Sequence, residues 1–279
     1  MIFAAEPFMR FTLCFRLWVG LGLAGLSVSL AAAEGLLLGL RTEGNKIVAM
    51  TTTVAAGSTV REVARLPVSP DQRLSDVFQF PDGTIGSLWT STARNAGKRA
   101  LLRRLGSAVQ VVDTGATDVS GVSAPYAVSS IVVPPDGAAL ALVSHYSDTP
   151  PFFLADVSVE SGQVTVLRTY ALNPAARFAN LARCPDGTIY ATSMAQQWDT
   201  RLVRIDAGTR AVESLPELHF DNRSLKNDVW DLACAPTGQL YALADPTLSG
   251  TNSLYQVDPS TGALRLVQAF DATKMVFLR

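Results

Sequence analysis

Short runs of apolar, β-branched and aromatic residues recur along this chain in a fixed order, each bounded by turn residues. Four segments share a tight turn: Phe80-Pro81-Asp82-Gly83, Pro134-Pro135-Asp136-Gly137, Cys184-Pro185-Asp186-Gly187 and Ala235-Pro236-Thr237-Gly238. Their second-position prolines are 54, 50 and 51 residues apart. Proline presets its own φ angle, and glycine accepts the positive φ that closes a hairpin. Before the turns stand DVFQF, SIVVP, NLARC and DLACA; after them come TIGSLW, AALALV, TIYATS and QLYALA. A third run follows in every unit (ALLRRL, PFFLADV, RLVRID, SLYQVD), and a fourth closes it (AVQVVD, QVTVLRT, AVESL, ALRLVQ). Beyond residue 33 no stretch sustains a helical period.

Four antiparallel strands repeated at this period predict propeller blades. Complete units cover roughly residues 75–115, 126–170, 178–216 and 228–268. Three further runs remain near the start (GLLLGLRT, KIVAMTTT, TVREVARL) and one at the end, KMVFLR. Together they make a fifth blade. The expected fold is an all-β, five-bladed β-propeller over residues 34–279, closed by one C-terminal strand joining three N-terminal ones. The unit resembles the NHL, YVTN and two-component-regulator propeller repeats, most closely at TIYATS and QLYALA. Such repeats occur in enzymes, binding modules and scaffolds alike, so the resemblance implies a fold and leaves the function open.

The N-terminus reads as an address. Arg10 and Arg16 precede the uncharged run LWVGLGLAGLSVSLAAA at residues 17–33, which ends on small residues. This pattern predicts a secretory signal peptide over residues 1–33, cleaved after Ala33, and a periplasmic or secreted protein. The alternative is a signal anchor, and Met9 is an alternative start. No later stretch is apolar and long enough to span a bilayer, so no membrane attachment is expected after cleavage. The 23 Lys+Arg are balanced by 24 Asp+Glu, which excludes a general nucleic-acid binder. Beyond the leader two cysteines remain, Cys184 and Cys234. They are read as free, buried, apolar fillers. An inter-blade disulfide is the alternative, since their opposite parity along adjacent inner strands lets them face each other.

Candidate chemistry is sparse. Five residues before each turn proline stand Asp76, Ser130, Asn180 and Asp231, and a similar count on the last run gives Lys274. Each is followed by an apolar residue, so these side chains are expected to ring the channel mouth. They either hold the repeat by bonding backbone amides, or they bind a ligand, with weak calcium binding possible at their hard oxygens. No metal site or resident cofactor is expected. His145, Tyr146, Trp198 and Asp199 fall in predicted mouth loops and are further ligand candidates; a zinc site of His145 with His219 has no motif spacing to support it. No G-x-S-x-G, H-E-x-x-H, P-loop or C-x-x-C is present. The expected function is an exported, non-catalytic propeller that binds a protein partner or small polar ligand on its loop face. The alternative is an enzyme using the channel, either a metal-dependent lactonase or lyase or a glycoside hydrolase with Asp76 and Asp231 as its carboxylates. The gluconolactonase resemblance implies a glutamate calcium ligand near the start, and neither Glu34 nor Glu43 sits in a matching motif.

Overall fold

The computed structural model describes residues 35–55, 57–68, 70, 72–81, 83–91, 100–105, 111–117, 126–134, 139–145, 151–160, 163–195 and 199–278. The expected leader, Tyr146, Trp198 and the turn at residues 135–138 lie outside them. Among the described residues the strands form five four-stranded antiparallel sheets and one two-stranded hairpin.

The first sheet joins β1 (Leu36–Glu43), β2 (Lys46–Thr53) and β3 (Arg61–Pro67) to β22 (Lys274–Leu278), in the order β22-β1-β2-β3. The second holds β4 (Gln72–Gln79), β5 (Ile85–Ser91), β6 (Ala100–Leu105) and β7 (Val111–Thr117). The third holds β8 (Tyr126–Val132), β9 (Ala139–His145), β10 (Phe152–Glu160) and β11 (Gln163–Ala171). The fourth holds β12 (Arg177–Arg183), β13 (Ile189–Met194), β14 (Thr200–Ile205) and β15 (Val212–Glu217). The hairpin β16 (His219–Phe220) and β17 (Arg223–Ser224) precedes the fifth sheet, β18 (Val229–Cys234), β19 (Leu240–Ala244), β20 (Ser253–Val257) and β21 (Leu264–Ala269). Strand β4 packs beside β8, β8 beside β12, β12 beside β18, β18 beside β22, and β22 beside β4 again. This is a propeller arrangement.

The core lies between sheets rather than within them. Leu37, Met50, Tyr241 and Phe270 fill the junction of the first and fifth sheets, and Phe78, Leu88, Ile131 and Ala141 that of the second and third. Second strands are therefore covered on both faces. All five residues of β19 are buried, which explains why these runs read as continuous apolar stretches instead of alternating ones. The outer strands β3 and β15 are largely exposed and correspondingly polar.

The three described repeat turns are built alike. The N–H of Gly83, Gly187 and Gly238 donates to the carbonyl three residues back, and each glycine has φ between 82° and 90°. Closure rests on β1 and β22, paired with Leu36 opposite Leu278 and Leu40 opposite Lys274. A Cβ on Gly39 would stand 2.4 Å from Phe270 Cζ and 2.8 Å from Ala272 Cβ, so only glycine lets the loop before β22 lie this close.

The cysteines depart from the expectation of free thiols. Cys184 and Cys234 form a disulfide, with Cα atoms 5.0 Å apart. Cys184 directly follows β12 and Cys234 ends β18, two inner strands that pack side by side. Opposite parity turns their side chains toward each other, and the separation is within bonding range.

Candidate functional site

The inner strand of each of four sheets carries one β-bulge at the repeated polar position. The register shifts fall between Leu74 and Asp76, Val128 and Ser130, Ala179 and Ala182, and Val229 and Asp231. A bulge inserts an extra residue and re-aims its neighbours. Here it turns each polar side chain toward the adjacent sheet. Asp76, Ser130, Asn180 and Asp231 are only 2%, 1%, 4% and 1% exposed.

Their bonds run around the ring. Asp76 Oδ1 accepts the Val77 N–H at 2.9 Å, while Oδ2 accepts the Ile131 N–H at 2.7 Å and the Ser130 hydroxyl at 2.8 Å. Ser130 Oγ accepts the Leu181 N–H at 2.9 Å. Asp231 Oδ2 accepts the Met275 N–H at 2.7 Å, which also fixes the register of the closing strand as the sequence count placed it. The second sheet thus holds the third, the third the fourth, and the fifth the first. The fourth-to-fifth junction differs. Asn180, at φ 58°, donates its amide to Val229 O and to Thr192 Oγ1, both at 3.2 Å. That same junction carries the disulfide. These bonds favour the structural role of the repeat position over ligand binding.

Lys274 reaches across the axis. Its Nζ lies 3.3 Å from Asn180 Oδ1, 3.1 Å from Trp230 O and 3.6 Å from Asp231 Oδ1. Burial pushes the Asp231 carboxyl up to about 7, opposed by the Lys274 ammonium and helped by the charge of Asp76. Burial likewise raises Asp76, again against Lys274 and the backbone N–H of Ile131. Beyond the ring the channel holds a cavity of about 80 Å³ lined by Val77, Ile131, Leu181, Leu232 and Met275. That is room for water and not for a sugar.

The loop face offers more space. A depression of about 590 Å³ is lined by Asp199, Arg223, Lys226, Asp228, Pro246 and Leu248. Asp199, on this lining, is bridged through its backbone to Lys226. His145 ends β9, and its side chain lies outside the described residues, as do Tyr146 and Trp198. His219 stands on β16 with Nδ1 3.2 Å from Glu217 O. Among the described residues no three His, Cys, Asp or Glu gather as metal ligands.

Trp230 is the residue that sequence reasoning missed. It is 51% exposed at the bulge, immediately before Asp231. The other inner strands carry Ser75, Ser129, Ala179 and Thr273 at this place, so a tryptophan among small residues was the available signal.

No protein-family model matches the chain, and no curated protein sequence matches it. Solved structures share its fold. An exo-β-1,3-galactanase from Phanerochaete chrysosporium superposes with a TM-score of 0.53 and 12% identity, over 82% of this chain and 62% of that one. The calcium-binding protein regucalcin from Agrobacterium tumefaciens gives 0.47 and 14%, over 89% and 80%. The periplasmic gluconolactonase of Pseudomonas aeruginosa gives 0.47 and 12%, over 88% and 85%. At these identities the likeness shows the propeller fold alone. Calcium does not fit the oxygens of Asn180, Trp230 and Asp231, because they surround the Lys274 ammonium group.

Proposed function

We propose that this chain is an exported propeller of five blades whose loop face binds a small polar ligand or a protein segment beside Trp230. The observation that carries the reading is the contrast between ring and face. The ring's polar groups are buried and bonded to one another, whereas Trp230 stands half-exposed two residues from Asp228, a residue that lines a depression within the range of small-molecule sites. Leu248, 71% exposed at φ 55°, adds an apolar contact on the same loop cluster. Arg223, Lys226, Asp199 and Asp228 supply charges of both signs, which suits a polar or zwitterionic ligand. Tryptophan fluorescence of the purified protein, titrated with sugars, lactones and short peptides, tests this. Binding that is lost in Trp230→Ala and kept in Asp76→Asn supports the reading; a ligand whose affinity ignores Trp230 refutes it.

A second reading is a hydrolase of the lactonase kind, the activity named for the Pseudomonas neighbour. It is favoured by Asp231, whose carboxyl burial pushes up to about 7, the range in which a general acid or base works. Lactone hydrolysis abolished by Asp231→Asn and retained in Trp230→Ala would establish it over the binding reading. Export is proposed on the residue 1–33 pattern, and mass spectrometry of the secreted or periplasmic fraction should find Glu34 at the N-terminus.

A further inference from the structure

We propose that the Lys274 ammonium is the built-in cation of the channel mouth, standing where Asp231, Asn180 and the Trp230 carbonyl would otherwise hold a divalent ion. Three oxygens converge on Nζ from two different sheets: Asn180 Oδ1 from the fourth, Asp231 Oδ1 and Trp230 O from the fifth. Nζ itself comes from the first sheet across the axis. A carboxylate, a side-chain amide and a main-chain carbonyl are the hard donors that calcium takes. Only one of them carries charge, and the other buried carboxylate, Asp76, has its oxygens turned to Val77, Ser130 and Ile131.

An ammonium group at these distances leaves no room for a calcium ion, which needs its oxygens at roughly 2.3–2.6 Å. It also supplies part of what the ion would supply, a positive charge facing the buried Asp231 and hydrogen bonds to the two neutral oxygens. Truncating the lysine removes the counter-charge of the buried Asp231, whose carboxylate then takes up a proton unless another cation replaces the ammonium. It also opens a space lined by the three oxygens and reached from the mouth, where the Lys274 side chain is 13% exposed. The protein as it stands binds no calcium at this position, and its axis needs no dissociable ion. The variant Lys274→Ala acquires a requirement for one.

Thermal unfolding in millimolar calcium and in chelator reads this out, independently of any ligand on the loop face. The wild type should unfold at the same temperature in both. Lys274→Ala should be less stable in chelator and recover several degrees in calcium. The paired variant Lys274→Met with Asp231→Asn, which removes both charges, should fold and ignore calcium. Calcium stabilisation of the wild type that disappears in Asp231→Asn overturns the proposal. So does a Lys274→Ala protein that fails to respond to calcium, or that folds neither with the ion nor without it. An equal response of the paired variant overturns it as well, because the gain would then not depend on the oxygens named.

Discussion

Ser130 donates its hydroxyl to Asp76 Oδ2 at 2.8 Å and, through the same oxygen, accepts the N–H of Leu181 at 2.9 Å. One buried hydroxyl thereby ties three neighbouring sheets together. Ser130→Ala should cost about 1–3 kcal/mol, because it leaves a buried N–H without that acceptor and removes a donor from a buried carboxylate. Urea unfolding of wild type and variant measures the difference, and a change near zero would mean that water replaces the hydroxyl.

The pH dependence has a definite sign. Asp231 is raised from 3.8 to about 7 in the folded protein, so between those values the folded state binds a proton that the unfolded state releases. Its contribution is present on the acid side and lost as pH rises toward 7. Asp206 and Asp258 act oppositely: hydrogen bonds in their turns, chiefly from Thr209 and Ser260 respectively, lower their carboxyls, so that support is lost in strong acid. Melting temperature should therefore be highest in mildly acidic buffer and fall toward pH 8. In Asp231→Asn the fall should flatten.

Reduction should loosen one junction specifically. The Cys184–Cys234 disulfide closes a loop of 50 residues, and its loss should cost about 2–4 kcal/mol. Thiol titration of the denatured, unreduced protein lacking residues 1–33 should find no reactive group. Two reactive groups would return both cysteines to the role of apolar fillers.

Closure is tested from both partners. Met275 and Phe277 of β22 are buried against the fifth sheet, and deleting residues 275–279 should destabilise the whole domain. Gly39→Val, which drives a side chain into Phe270, should do the same. Retained thermal stability in the deletion would show that β22 is dispensable.

The sequence disclosed most of the architecture because its determinants are local. Pro-Asp-Gly turns and short apolar runs locate the blade strands, although the inner strands β4, β8, β12 and β18 begin two to four residues before the runs that mark them, and counting back from the prolines found Asp76, Ser130, Asn180, Asp231 and Lys274. What these residues bond could not be read. Ile131 lies 55 residues from Asp76, and the bulges that aim one at the other leave no local mark. Asn180 looked equivalent to its counterparts, yet its left-handed backbone turns it from acceptor to donor at the fourth-to-fifth junction. For the cysteines parity gave the right direction, but the packing of β12 beside β18 that brings them to 5.0 Å is a property of the assembled ring. Trp230 stands out only when the inner strands are aligned on their bulges, where its counterparts are small residues.

The pairing of Leu36 with Leu278 has a practical side. Inner strands run from the mouth toward the Pro-Asp-Gly turns, so β22 ends at the turn face and β1 begins there, with Gly35 lying against Pro236. A tether fused after Arg279 therefore leaves from the side opposite Trp230 and Lys274. A protein fixed to a sensor chip by its C-terminus presents the loop face to the solution, while one fixed through a residue of the 245–251 loop turns that face toward the chip.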